Sequence, residues 1–382
     1  MMAGLGMSAC SVCVRGVGVL ALLAAAPAVA RGQAATSARP DTSSAIKFGG
    51  FVDGYYAYDF DRPPTLDRAF TTQPARDDEF NINLAYVDAA LSGAKVRGRI
   101  AVQYGTSVQS NYAAEPHLGA VSGPSVSQYI QEAFAGYRAA PSLWLDAGIF
   151  FSHIGNEGWI SRDQWTYSRS LIADYSPYYE AGVRAVWTPA PALTATAVLV
   201  NGWQNISETN SDKAIGVRLD YAATSRITLT YDNFIGNERP DSLPSEMRVF
   251  QEVIAKFTPT ARLGIVGSFD YGTQAHHTAA GSSDWMGGAV VARYGVTPAV
   301  VVNARLEFYR DPDQVLVASP SPNGFRASGI SAGVDVVPAA SLLWRVELRG
   351  LRASDAVFPD AGAPSGLSRS DGFVVSSLAL TF

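Results

Sequence analysis

Cysteine is all but missing from this sequence: of 382 residues only Cys10 and Cys13 carry a thiol, and both fall within the first thirty. An exported chain without cysteine has no disulfides, so its stability must come from its fold. Long apolar runs are missing too. Past residue 30 nothing approaches the ~20 uninterrupted apolar residues a membrane helix needs, which excludes helical insertion. A basic excess is absent, since 29 Lys and Arg face 34 Asp and Glu for a formal net charge of −5. Nucleic-acid binding asks for the opposite balance. Histidine is scarce: His117, His153, His276 and His277 lie at or near loops, with no H-E-x-x-H pair and no cysteine partner. Adjacent residues on an extended chain point apart, which argues against a metal at His276-His277. No phosphate-binding glycine loop or dinucleotide fingerprint occurs, and no cofactor or metal is expected.

What is present begins with an export signal. Arg15, the apolar run 17–26 and Ala28-Val29-Ala30 supply the charged, apolar and small-residue parts of a secretory signal peptide spanning 1–30. The mature chain then begins at Arg31, with 29 − 1 = 28 basic and 34 acidic residues, a net charge of 28 − 34 = −6. Residues 31–45 are polar and aperiodic, a flexible periplasmic lead-in.

From residue 46 to 382 one unit repeats: an alternating segment, a tight turn, another alternating segment, a longer polar loop. In 247–271, Met247, Val249, Val253, Ala255 and Phe257 alternate with Arg248, Glu252 and Lys256, and Thr258-Pro259-Thr260 makes the turn. A period of two is a β-strand, and proline suits a hairpin turn better than a central strand. The spacing predicts strands over 46–60, 79–91, 95–109, 127–139, 142–153, 178–188, 192–204, 212–222, 225–235, 247–257, 261–272, 284–296, 299–309, 326–337, 341–353 and 372–382. That is about sixteen (14–18), the pattern of an all-β transmembrane antiparallel β-barrel with short periplasmic turns and longer extracellular loops. The G-x-S-x-G match at Gly329–Gly333 lacks the turn and helix of a nucleophile elbow and continues as a strand. No catalytic residue is assigned.

Polarity decides between a soluble and a membrane barrel. In 299–309 Val300, Val302, Ala304, Leu306 and Phe308 share one face, and Asn303, Arg305, Glu307 and Tyr309 the other. In 341–352 Leu342, Trp344, Val346 and Leu348 oppose Arg345, Glu347 and Arg349. Unpaired buried charge is costly, so so many facing charges imply a water-lined interior with lipid outside. Predicted pore-lining groups are Arg97, Arg99, Arg184, Arg218, Arg305, Glu307, Arg345 and Glu347, and their mixed signs predict weak ion selectivity. Tyr and Trp concentrate where membrane meets water; Tyr55, Tyr58, Tyr104, Tyr137, Trp187, Trp203, Tyr221, Tyr271, Tyr294 and Phe382 are candidates. The closing segment 371–382 ends on Phe382 with apolar residues at alternate positions. It resembles the terminal signal read by the outer-membrane assembly machinery, with Phe382 as the assembly signal.

The segment 154–177 sets Trp159, Trp165 and Tyr167 among Glu157, Arg162, Asp163, Arg169 and Asp174. Its pieces Gly155-Asn156-Glu157, Tyr167-Ser168-Arg169-Ser170 and Pro177, with the following Gly182-Val183-Arg184, resemble the outer-membrane putative beta-barrel porin-2 family. The resemblance implies a passive porin of the bacterial outer membrane, a channel through which small solutes and ions diffuse. In sixteen-stranded porins the third loop narrows the lumen, so by resemblance Glu157, Arg162, Asp163 and Arg169 stand at the pore constriction. Otherwise the loop is an outer lid. Trimers are common among such porins, so a homotrimer stays open. The rival functions are an outer-membrane barrel enzyme and a plugged structural or adhesive barrel.

Overall fold

The computed structural model describes residues 45–277 and 281–382. The predicted signal peptide and residues 31–44 of the lead-in lie outside the described residues. The chain forms strands β1 (Ala45–Asp59), β2 (Phe80–Ser92), β3 (Val96–Tyr104), β4 (Ile130–Ala140), β5 (Leu143–Phe151), β6 (Tyr179–Ala190), β7 (Leu193–Val200), β8 (Ala214–Thr224) and β9 (Ile227–Asn237). It continues with β10 (Met247–Phe257), β11 (Leu263–Ala275), β12 (Ser282–Thr297), β13 (Val300–Asp311), β14 (Phe325–Ala339), β15 (Leu342–Ala353), the short pair β16 (Phe358–Pro359) and β17 (Leu367–Ser368), and β18 (Ser370–Thr381). Sixteen of these, all but β16 and β17, form one closed antiparallel barrel in which sequence neighbours pair and β18 returns to β1. Closure leaves no unpaired edge. The last register runs from Phe51 opposite Thr381 to Asp59 opposite Phe373, and Phe382 exchanges backbone bonds with Gly50 (2.9 and 3.1 Å).

The expected strands are all present, and Gly329–Gly333 lies inside β14. The third is shorter than expected. Gly105 turns the chain at φ +147°, where a Cβ would meet the Asn83 carbonyl oxygen at 2.2 Å, and 106–112 coils as helix α1 (Thr106–Tyr112). Two further helices, α2 (Pro124–Ser127) and α3 (Leu171–Asp174), also sit in long connections.

The strands are apolar outside. On β13, Val302, Leu306 and Phe308 are exposed while Asn303, Arg305, Glu307 and Tyr309 are buried. On β15, Trp344 and Leu348 are exposed while Arg345, Glu347 and Arg349 are buried. A band of this kind is what lipid requires. Outward Trp187, Tyr221, Phe257, Tyr294 and Trp344 stand close to the short turns, and Phe80, Tyr104 and Tyr271 toward the loops. Tyr55 and Trp203 depart from the expected belt, since both point inward and pack in buried clusters.

Candidate functional site

The interior is filled far more than a water-lined tube would be. Lumen-facing Phe234, Phe250, Trp285 and Tyr309 form one buried apolar cluster with Leu171 and Ile172 of α3 and with Val317, Val357 and Phe358 from the long connections. Here the alternating pattern was a poor guide, because the inward apolar residues on the loop side of the barrel found loop partners.

The connection 152–178 enters the barrel and crosses it. Its first turn is pinned by His153, whose Nδ1 lies 2.8 Å from Glu180 and whose Nε2 lies 2.8 Å from the Asn233 carbonyl. Burial disfavours the imidazolium, but the Glu180 carboxylate outweighs it and holds the His153 pKa above its ordinary value. Arg218 donates Nη1 to the carbonyls of His153 and Gly155, both at 3.0 Å.

The middle of the loop docks on β13–β15. Glu347 accepts the backbone N–H groups of Tyr167 and Ser168 at 2.7 Å each and the Ser168 hydroxyl at 2.8 Å. Arg305 donates to the Ser168 carbonyl at 2.7 Å and to the Thr166 hydroxyl at 3.0 Å. Arg345 reaches the carbonyls of Ser161, Gln164 and Thr166, and Glu307 takes the Leu171 N–H at 2.8 Å. Ion pairs complete the set: Arg305 with Glu307 (3.1 Å) and Glu347 (3.5 Å), Arg349 with Glu307 (2.8 Å), and Arg345 with Asp335 (2.8 Å). Buried charges are tolerated when paired and hydrogen-bonded. Arg305, Glu307, Arg345 and Glu347 were expected to line water. They do face inward, but the loop covers them, and their work is to hold it.

The four loop residues expected at the constriction separate. Arg169 is wholly buried and staples the loop to itself through the carbonyls of Gly158 and Tyr167 (2.7 Å each), the Trp159 carbonyl (3.2 Å) and Gln73 (3.3 Å). It touches no open space. Arg162 reaches the short turn between β14 and β15, donating to the carbonyls of Ala340 and Ser341, so the loop tip lies near the short-turn end. Glu157 and Asp163 line a narrow cavity of about 70 Å³ with Trp165 and Lys256. Trp165 packs against β11 at Gly264, where a Cβ would come within 2.6 Å of its ring. A lid over the mouth would make none of these contacts.

Two larger cavities flank this waist. One of about 520 Å³ lies at the short-turn end, lined by Arg226, Lys256, Arg262, Arg293 and Trp165. The other, of about 500 Å³, lies toward the long loops between Asp174, Trp203, Glu238 and Arg248. The remaining expected lining groups keep some solvent contact, each with a carboxylate: Arg97 and Arg184 with Asp146 (2.7 and 2.8 Å), Arg99 with Asp88 (3.1 Å), and Arg218 with Asp220 (3.0 Å). On β9–β11, Glu252 stands in register with both Asp232 and Asp270, a lumen-facing row of three carboxyl groups against which, among the described residues, only Arg218, 3.3 Å from Asp232, is paired. That row was legible as charge, though nothing in spacing alone showed its members would align.

With this geometry, the comparisons bear on the whole barrel. A family model described as Putative beta-barrel porin-2, OmpL-like matches residues 45–382. None of the curated proteins compared with the chain matches it. Similar solved structures include the outer membrane channel DcaP of Acinetobacter baumannii, 13% identical with a TM-score of 0.59, covering 89% of this chain and 98% of that one. The anion-selective porin from Comamonas acidovorans is 11% identical with a TM-score of 0.58, covering 89% and 100%. Salmonella typhi OmpF in complex with daunomycin is 12% identical with a TM-score of 0.55, covering 89% and 98%. At such identities the likeness speaks for the fold.

Proposed function

This chain belongs to the Putative beta-barrel porin-2, OmpL-like family, an outer-membrane β-barrel porin by family and fold, and from that premise we propose that it passes small solutes and ions by diffusion through the barrel. Solutes are sorted by width and by lining charge, without chemistry. The observation that carries the proposal is the pair of cavities, about 500 and 520 Å³, one toward the long loops and one at the short-turn end, both bordered by the loop 152–178. Glu157 and Asp163 line the waist, Arg162 ties the loop tip to the turn between β14 and β15, and Arg169 keeps the loop folded there. Because Arg97, Arg99, Arg184 and Arg218 each sit beside an acid, their charges nearly cancel at a distance, and selectivity between small ions is weak.

A second function has one observation in its favour. The waist of about 70 Å³ is narrow, and the buried network under the loop suits a plugged structural barrel. Conductance in a planar bilayer separates the two. Excising 157–170 should raise single-channel conductance and admit larger solutes while the barrel stays heat-modifiable; unchanged conductance in a folded deletion would remove the loop from the pore. Assembly belongs to the same proposal: outer-membrane lipid around the apolar band, the assembly machinery reading the strand that ends at Phe382, and a homotrimer, a form recorded for OmpT of Vibrio cholerae.

A further inference from the structure

The cavity toward the long loops holds ionisable groups of both signs with no ion-pair contact among the described residues. Arg248, at the start of β10, is 8% exposed and makes no ion pair among the described residues. Its Nε and Nη2 both donate to the side-chain oxygen Oε1 of Gln274 (3.1 and 2.8 Å), leaving Nη1 without a bond among the described residues. Its guanidinium lies over Trp203 and Trp285, 5.4 and 5.8 Å from the ring centroids. Asp174, at the end of α3, accepts at Oδ1 from the N–H and hydroxyl of Thr72 (3.2 and 2.6 Å). Glu238 accepts at Oε2 from the Trp203 backbone N–H at 3.0 Å. The second oxygens, Asp174 Oδ2 and Glu238 Oε1, are shut off from solvent with no hydrogen-bond partner among the described residues. Neither carboxylate has an ion-pair partner there. All three side chains line the same cavity of about 500 Å³, together with Trp203, Tyr175 and Tyr179.

We propose that this cavity is a binding site for a small zwitterion, an amino acid or short peptide, with its ammonium at Asp174 and Glu238, its carboxylate at Arg248 and its apolar part against the aromatic walls. A neutral sugar could hydrogen-bond all three groups but would neutralise none of their charges. A plain cation would leave Arg248 unanswered, and a plain anion would face two carboxylates. Only a solute with both charges completes the set. Burial outweighs the pull of Arg349 and Arg169 and holds Asp174 at about 6, and it outweighs that of Arg248 in raising Glu238. The inference deepens the channel assignment by naming a solute class, and it rests on that assignment for its role in passage.

The test is calorimetric titration of the full folded barrel in detergent with L-phenylalanine, phenethylamine and 3-phenylpropionate. Each missing charge forfeits bonds to an ionised group, so L-phenylalanine should bind about tenfold or more tighter than either analogue. Arg248→Gln should erase its advantage over phenethylamine, and Asp174→Asn with Glu238→Gln its advantage over 3-phenylpropionate. Equal binding of the three probes, no binding, or variants that leave the ranking intact would overturn the site. Potassium chloride conductance of the same preparation keeps the two questions apart. A barrel that conducts but does not prefer the zwitterion retains its channel and loses this site; one that prefers the zwitterion but does not conduct retains the site and loses the channel.

Discussion

Replacing Glu347 by alanine should release the loop from the lumen. The Glu347 carboxylate is buried and accepts three bonds from Tyr167 and Ser168, at 2.7, 2.7 and 2.8 Å, and lies 3.5 Å from Arg305. Hydrogen bonds to a charged group contribute about 1.5–3 kcal/mol each. They act on one rigid turn and do not add, so the better guide is the cost of removing one partner from a buried ionic network, about 3–5 kcal/mol. That shifts the docked-to-undocked ratio by about two to four powers of ten. The barrel itself is closed by sixteen strands that do not depend on the loop, so the loss falls on docking. Single-channel recording of Glu347→Ala should show higher conductance or new open events, with heat-modifiability intact. Glu347→Gln, which keeps one acceptor oxygen, should lie between. A folded Glu347→Ala barrel that conducts like the parent would refute the claim that the network holds the loop in the path.

Acid should tighten the same loop. Burial puts Asp174 at about 6 and the Glu180 carboxylate holds His153 above its ordinary value despite burial. Both pKa values are raised on docking. Their stabilisation is therefore complete below the undocked values, about 4 and 6.5, and is lost as pH rises through the docked ones. Open probability should be lower at pH 5 than at pH 8, and Asp174→Asn should flatten the part between about 4 and 6; a wild-type profile flat from pH 4 to 8 would sink the argument. On the outer face, Leu306→Arg should cost about 2–4 kcal/mol near the bilayer midplane, while Thr228→Glu, inward and in register with Lys256, should be tolerated in a urea unfolding series. The reverse order would mean the facing is wrong. Deleting Phe382, whose backbone bonds close the last strand on Gly50, should lower the yield of heat-modifiable barrel in the outer membrane, and normal yield would dismiss the terminal-signal assignment.

The strands were legible because each obeys one local rule, a side-chain period of two with lipid on one side. The rule holds wherever the outside is uniform, so Leu306, Phe308, Trp344 and Leu348 could be placed without knowing any contact. The inside is not uniform. Arg305 and Arg345 look the same in sequence as Arg97 and Arg184, yet the first two lie under loop carbonyls and the second two keep water. What separates them is where a loop more than a hundred residues away in the chain comes to rest. Likewise Tyr55 and Trp203 carry the residue types of an interface belt, but they sit where inward apolar surface was being covered. The loop gave partial signals of its docking: Tyr167-Ser168-Arg169-Ser170 supplies two hydroxyls for Glu347 and Glu157 and one guanidinium for internal carbonyls.

The two walls that the loop touches grip it unequally. On β13–β15 three arginines and three acids balance one another, and they offer donors and acceptors to a loop backbone that has both. On β9–β11 the row Asp232, Glu252 and Asp270 offers carboxyl groups alone, and among the described residues neither Glu252 nor Asp270 has an ion-pair partner, while Asp232 has Arg218. Apart from His153, whose Nε2 ties the loop's first turn to the Asn233 carbonyl at 2.8 Å, the loop directs to the row the Gly155 N–H, 3.4 Å from Asp232, a weak bond at that length. Many bonds on one wall and few on the other mean that thermal opening of the waist widens the β9–β11 side first, while the network at Glu347 holds. If the barrel conducts as proposed, ions pass the β9–β11 side rather than the buried arginines, and removing Glu252 should alter ion preference in single-channel recordings more than removing Arg305's charge alters it.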